Sequence, residues 1–552
     1  MVERCFIDDL NIYRPSTTTA DLSVKLGCNL FQASLLEMRG ITLDSAVSET
    51  DSWLNPDMEK ILDALDLGIA SPEAVALMRN LSSNSEVLVY GDYDVDGISS
   101  TAIATEIAMA KGASVRYYIP HRFSKGYGLH TDIAQIIVKR KFDLVIAVDC
   151  GSKDVEAVKI IQESGIPVII FDHHLVEGTP ALQDTMINPQ ISGDSLARKL
   201  CAAGVIWSWA WQNEILPAKK LNKMLDLVAL ATIADCVSMA SPLNRSLVQK
   251  GVQILRTAPR QGLQMLMEKL DIVPSSLIVE DLSMQVIPCL NAAGRLDVAD
   301  TAVKILFSGK NLESFVDKII SLNKKRKALS SKVLAQVDAS EEPDYRHVLT
   351  NDEWIVGILS SVASRVCNSK NAPVALVAPV GENMRGTLRM PKGGDAVAIL
   401  KELSPLLNTW GGHKLAAGFS VSDSNWSELR DKMEYMLSKA ETNGEKEEIL
   451  YWDPSELSLD IWEKGEEIGP FGMDNPAPIL YSPYKGVAEI SPLGKAGRHI
   501  KINIGESTLI GFDAVNMFND TNDFEGWAYK PRINTWRNMT NLQLILDKIV
   551  VS

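Results

Sequence analysis

Three carboxylates alternate in Gly91–Gly97, GDYDVDG, at Asp92, Asp94 and Asp96. A like-charged pair about 4 Å apart costs about 4 kcal/mol at an effective dielectric of ~20, so such a cluster persists only with protons or cations bound. All-oxygen donors favour hard ions such as magnesium or manganese. Gly97 is expected to let the backbone approach a phosphate that those ions hold. A solvated acidic turn is the plain alternative. An EF-hand calcium loop fits worse, because its closing Glu is missing and the apolar run Val87–Tyr90 precedes the acids. Further along, Asp149 ends the run FDLVIAVDCG, and Asp172, His173 and His174 end IPVIIFDHH. Unrelated turns have no reason to place metal-ligand types at the same end of one sheet. Asp235 closes the apolar helix LDLVALATIADCV, a place where a capping residue is the commoner reading.

These groups need elements to hold them. The runs ending at Tyr90, Pro120, Asp149 and His174 are separated by helical patterns, which predicts a doubly wound parallel sheet with right-handed crossovers. Open sheets of this kind place ligands at the carboxyl ends of their strands. ISSTAIATEIAMAKG has Ser and Thr in its first turn and Gly112 at its end, so it reads as a helix whose N-terminus faces the acids and attracts anions. A stretch from Leu200 to about Leu270 reads as helical, and in PCLNAAGRL, Arg295 follows a glycine in what reads as a small-residue loop meeting an anion. Residues 311 to 345 are expected to form a long connecting helix with the basic run Lys324-Lys325-Arg326-Lys327, either a solvated face or the lining of a channel for a polyanion. A second α/β unit follows over 346–442, where Gly411-Gly412-His413 reads as a backbone turn. Residues 443–552 alternate apolar and polar positions between Gly-rich turns, as in a small β-barrel such as an oligonucleotide-binding fold. Residues 1–50 read as a lead-in packing on the domain that follows, and 51–310 as the core.

Composition bounds the rest. With 552 residues and 46% hydrophobic content the chain has ample material for several cores. Seven scattered cysteines without a CxxC pair fit a reducing compartment, and the N-terminus shows no secretory pattern, so a cytoplasmic protein without membrane contact is expected. A net charge of −15 counts against coating nucleic acid through the overall field and confines any contact to a local groove.

Taken together, these motifs resemble the DHH phosphoesterase superfamily and, within it, the RecJ-type single-strand-specific exonucleases. GDYDVDG, VDCG, DHH and ATIADCV are similar to the four motifs of that family, in order. GILSSVASR, RGTLR and GGHKLAAG resemble its DHH-associated second domain, and IGPFGMDNPAP with the strands after it resembles the C-terminal oligonucleotide-binding domain. The resemblance implies two divalent ions, Mn2+ or Mg2+, held by Asp94, Asp96, Asp149, His173 and Asp235, with Asp92 a ligand or close neighbour. Asp149 would bridge the ions, His174 would act on the phosphate or the leaving oxygen, and Asp172 would orient the histidines. Arg122, Arg295, Arg365, Arg389, Gly411, Gly412 and His413 match positions that hold DNA phosphates or the 5′ end. The implied activity is 5′ to 3′ hydrolysis of single-stranded DNA to mononucleotides in repair and recombination. The strand would pass through a cleft between core and second domain. A monomer is implied, with a helicase or single-strand-binding protein as partner, and Phe471, Tyr484 and Trp536 are candidate stacking residues. Ile355, Ser360-Ser361, Leu388, Met390 and Cys150 depart from the family pattern; the acids are untouched, and the departures bear on the second domain's grip and end preference. Two other readings are a small-substrate DHH phosphoesterase, which the extra C-terminal domain opposes, and a non-catalytic replication partner, which should have lost acids that are present here.

Overall fold

The computed structural model describes residues 2–552 apart from 46, 69–70, 123–125, 177, 183, 308, 340–345, 441–445, 487, 495–496, 519–523 and 537–538. Two compact units emerge: Met1–Ile319 together with Glu448–Ser552, and Ile320–Glu447. Among the described residues no helix is long and apolar enough to cross a membrane.

The chain opens with two short strands, β1 (Glu3–Phe6) and β2 (Leu10–Tyr13), which belong to the C-terminal sheet described below. The catalytic-type motifs lie on a five-stranded sheet of β3 (Glu86–Tyr90), β4 (Ser114–Tyr118), β5 (Leu144–Val148), β6 (Val168–Phe171) and β7 (Met186–Ile187). Its order is β4-β3-β5-β6-β7, with every pair parallel. The runs VLVY, LVIAV and VIIF are buried throughout, as strands covered on both faces require. From β3 the chain steps outward to β4 and then crosses back to β5, so the strand order reverses between β3 and β5. That switch point opens a crevice at their carboxyl ends, which carry Asp92 and Asp149. The fifth strand, β7, is too short for the sequence pattern to announce.

The helix after the first motif runs Val95–Ala110, one turn earlier than the Ser/Thr signal predicts, because Asp94 is its N-cap and accepts from the Gly97 amide at 3.1 Å. Gly97 also permits close packing of the motif on itself: a Cβ there would lie 2.5 Å from the Asp92 carbonyl oxygen. The stretch read as a loop around Arg295 is the helix Ile287–Leu296, with Pro288 in its first turn after a π-helical stretch Leu282–Val286. Its small residues serve contact, since Gly294 meets the Tyr93 carbonyl where a Cβ would lie at 2.5 Å.

The second unit carries β8 (Val348–Thr350), β9 (Val374–Val380), β10 (Asn383–Arg389), β11 (Thr409–His413) and β12 (Ala416–Ser422), in the order β11-β12-β10-β9-β8. Gly411, Gly412 and His413, expected in a turn, form an exposed edge strand paired antiparallel to β12, with the reversal at Lys414-Leu415. Leu388 and Met390 are buried in this unit's core. Ile355 caps the helix Val356–Lys370, which contains Ser360 and Ser361. The helix Leu312–Ala339 exposes Lys324, Lys325 and Lys327.

The C-terminal sheet comprises β13 (Glu447–Tyr451), β14 (Leu480–Pro483), β15 (Glu489–Leu493), β16 (His499–Ile504), β17 (Ser507–Gly511), β18 (Phe524–Trp536) and β19 (Met539–Val551), with β1 and β2 added. Residues 1–50 therefore differ from the expected lead-in on the core: β1 pairs parallel with β19, and Phe31, Leu35 and Leu36 pack with Trp452, Trp462 and Trp527. Arg39 also donates to the Asn475 side chain at 2.6 Å and to the Pro476 carbonyl at 3.0 Å. The apolar residues of this segment find their buried partners nearly a whole chain length away, which local periodicity does not record.

Candidate metal centre

Each acidic or imidazole side chain is delivered by the end of an element. Asp92, Asp94 and Asp96 follow β3, Asp149 follows β5, and Asp172, His173 and His174 follow β6. Asp235 takes the C-cap of the helix Leu225–Ala234. Among the described residues three groups of ligand atoms arise, each with members within 4.8 Å of one another: Asp92, Asp94 and Asp149; Asp96, His173 and Asp235; and Asp149, His173 and His174. Asp149 belongs to two of them. His173 Nε2 lies 3.4 Å from Asp149 Oδ1, 3.6 Å from Asp235 Oδ2 and 3.7 Å from Asp96 Oδ2.

Hydrogen bonds from the scaffold hold several of these groups in place. Asp96 accepts from the amides of Ala202 at 2.7 Å and Ala203 at 2.9 Å, the N-terminus of the helix Ala202–Gln212, and from Ser100 Oγ at 3.2 Å. Asp149 has φ 59°, a left-handed conformation that Asp tolerates better than most residues. Asp172 is outside the three ligand groups: its Oδ1 accepts from the His173 amide at 2.8 Å, the His174 amide at 3.2 Å and His174 Nδ1 at 2.8 Å, and its Oδ2 from the Ser152 amide at 3.3 Å.

Burial sets the electrostatics. It pushes Asp92 and Asp149 well above the usual carboxylate range, reinforced at Asp92 by Asp94 and at Asp149 by Asp96, Asp94 and Asp92. Burial raises Asp96 despite the facing His173, and it raises Asp235 to about 8, aided by Asp96 and Asp94. It also lowers His173. At His174 burial acts downward, but the hydrogen bond and charge of Asp172 prevail and push it up to about 9. Asp172 is correspondingly held low against its own burial.

The donor set fits divalent cations. Asp92 Oδ1, Asp149 Oδ1 and His173 Nε2 are buried without a hydrogen-bond partner, a costly state for polar atoms unless something else satisfies them. Carboxylates in the majority with one or two imidazoles suit manganese or magnesium.

Of the expected phosphate-binding residues, Arg122 stacks over the Tyr93 ring at 4.9 Å and offsets the charge of Asp92, and Arg295 lies on the helix that meets Tyr93. Arg365, Arg389, Gly411, Gly412 and His413 belong to the second unit. There Arg365 is exposed, and Arg389 donates to Ser364 Oγ at 3.0 Å and Thr387 Oγ1 at 2.7 Å. Tyr484 is 41% exposed, Phe471 is half-buried, and the Trp536 side chain lies outside the described residues. Reasoning from the sequence missed Tyr127, whose hydroxyl lies 2.9 Å from His174 Nδ1, and Asn188, which donates to the His174 carbonyl at 2.9 Å. The glycines flanking Tyr127 and the Asn188-Pro189 pair after a short apolar run were the available signals.

Family models match the chain in three places: the DHH family N-terminal domain over residues 86–232, the DHHA1 domain over 344–439 and the RecJ OB domain over 450–548. Among curated proteins it is 29% identical to the single-stranded-DNA-specific exonuclease RecJ of Bacillus subtilis, covering 94% of this chain and 68% of that one. It is 28% identical to the Escherichia coli protein of the same name, covering 86% and 89%. A crystal structure of exonuclease RecJ bound to manganese is 30% identical, with 66% of this chain and 94% of that one aligned at a TM-score of 0.57. This chain belongs to the RecJ family. The RecJ fold extends nearly end to end: the Thermus thermophilus RecJ structure in complex with Mn2+ aligns with 98% of this chain and 79% of its own at a TM-score of 0.77 and 24% identity. A second Thermus thermophilus RecJ structure contains Mg2+.

Proposed function

We propose that this protein is a metal-dependent exonuclease that hydrolyses phosphodiester bonds of single-stranded DNA from the 5′ end, releasing mononucleotides in repair and recombination. The observation that carries this reading is Asp149, shared by two groups of ligand atoms beneath a switch-point crevice. Asp92, Asp94, Asp96, Asp149, His173 and Asp235 would hold two ions, with Asp149 between them. When bound, such ions lower the pKa of a water and stabilise charge on the phosphate and the departing oxygen. The chain supplies position. Asp96 is pinned by two amides, and Asp172 holds both histidines. His174 is favoured in its charged form by the Asp172 carboxylate, and its hydrogen bonds among the described residues run through Nδ1. It is therefore suited to protonate the leaving oxygen. Arg122, Arg295, Arg365, Arg389, Gly411, Gly412 and His413 would hold backbone phosphates, and the C-terminal domain would hold the strand through exposed aromatics such as Tyr484. An enzyme confined to single strands needs unwinding from outside, which makes a helicase or single-strand-binding protein the fitting partner of the monomer. The presence of every motif acid opposes a non-catalytic role.

The test is cleavage of 5′-labelled single strands, duplexes and dinucleotides with manganese or with EDTA. Labelled mononucleotide from single strands alone, lost in EDTA, is expected. Equal rates on duplex, a preference for dinucleotides, or inactivity in manganese would overturn the proposal.

A further inference from the structure

We infer that Asn188 is a positioning residue of the metal centre, a clasp that sets the spacing of Asp149 and His173 and so the ability to hold two ions as a pair. This rests on the two-ion reading above. The parallel ladder of β5 and β6 ends at Val148 and Phe171, with one further bond from the Asp149 amide to the Phe171 carbonyl at 2.8 Å. Both ligands lie beyond the ladder, Asp149 in a left-handed turn and His173 two residues past the end of β6. Contacts outside the sheet must therefore fix the 3.4 Å between His173 Nε2 and Asp149 Oδ1. Small hard ions demand near-ideal geometry, so a drift of about 0.5 Å between two ligand atoms is enough to weaken binding.

Asn188 joins the two turns that carry these ligands. It follows the short strand β7, is fully buried, and caps the helix Pro189–Ser192. The Gln190 amide can only donate, so Asn188 Oδ1 faces it at 3.0 Å and the NH2 group is left for the turns. One of its hydrogens goes to the Ser152 hydroxyl at 3.0 Å, three residues past Asp149, and the other to the His174 carbonyl at 2.9 Å, next to His173. A longer strap runs between the same turns, from the Ser152 amide to Asp172 Oδ2 at 3.3 Å. The Asn188 bonds go to a hydroxyl and to main chain, so the residue acts through the turns and not as a ligand. A neutral amide does this without gaining or losing a proton, so the clasp is independent of the ionisation of the groups it spaces.

Asn188→Leu keeps the bulk and removes both donors. In calorimetric titration with manganese the wild type should take up two ions. The variant should bind one of them within about 2-fold of wild type, at Asp92, Asp94 and Asp149, and the other about 10-fold or more weakly. In electron paramagnetic resonance the closely spaced hyperfine lines of a spin-coupled manganese pair should give way to those of isolated ions. Ser152→Ala removes one arm, leaves the helix cap intact and should move both readouts the same way by less, which keeps the test decisive if Asn188→Leu does not fold. Thr185→Val removes another buried hydrogen bond of this sheet, 2.6 Å to the Val168 carbonyl, and should lower the melting temperature with both ions retained. Two tight, spin-coupled ions in either clasp variant, or an equal loss of the pair in Thr185→Val, would overturn the role of Asn188. Wild-type protein that takes up no ion pair would remove the two-ion reading and the clasp with it, whereas wild type that pairs ions without cleaving DNA would remove the nuclease reading alone.

Discussion

Replacing Asp149 by Asn should move stability and activity in opposite directions. Its carboxyl, ordinarily 3.8, is held well above that by burial and then by Asp96, Asp94 and Asp92. Without metal, a carboxyl raised in the folded state penalises folding by about 1.4 kcal/mol for each pH unit that its folded value lies above its ordinary one, up to the working pH. The amide removes that penalty and tolerates φ 59°, but its buried polar atoms need partners at a cost of about 1–3 kcal/mol. A net gain in urea unfolding with EDTA is expected. The sign follows from the raised folded value. The wild-type penalty is absent below pH 3.8, grows as pH rises toward the folded value and is constant above it, so the variant's advantage should widen as pH rises from about 4. Manganese reverses the ranking: at one hundred times its dissociation constant each ion adds about 2.7 kcal/mol to the wild type, and the variant should lose most of that gain along with cleavage. A metal-free variant less stable than wild type at pH 7, or one that keeps cleavage, would refute the reasoning.

Two further perturbations probe the scaffold. Gly97→Ala places a Cβ 2.5 Å from the Asp92 carbonyl oxygen; far-UV circular dichroism should be preserved while cleavage falls by at least 10-fold, and full activity would show that the motif tolerates the shift. Arg260→Met leaves the buried Asp226, 2.6 Å from Arg260 Nε, and its neighbour Glu106 without their cation. It should cost about 3–5 kcal/mol by thermal melting, and because Asp226 lies on the helix that ends at Asp235, manganese affinity should fall as well; an unchanged melt would contradict this.

The parts of the fold legible in the sequence are those whose partners are local or whose burial is two-sided. VLVY, LVIAV and VIIF read as covered strands because every position is apolar, and the acids at their ends mark the crevice. Asp235 was ambiguous because a helix cap and a ligand look alike until His173 is seen 3.6 Å away. The helix around Arg295 reads as a loop because Pro, Asn and Gly weaken its propensity, while the compensating contact with Tyr93 comes from a distant segment. Gly411-Gly412 looked like a turn, and only pairing with β12 makes it a strand. Tyr127 and Asn188 act on His174 through hydrogen bonds to main chain and ring, which no spacing encodes.

The parallel pairing of Glu3–Phe6 with Lys548–Val551 has a consequence for biosynthesis. Strand β1 can take its place beside β19 only after the far later β19 has been synthesised, so Phe31 and its neighbours wait without Trp527 until the C-terminal domain is made.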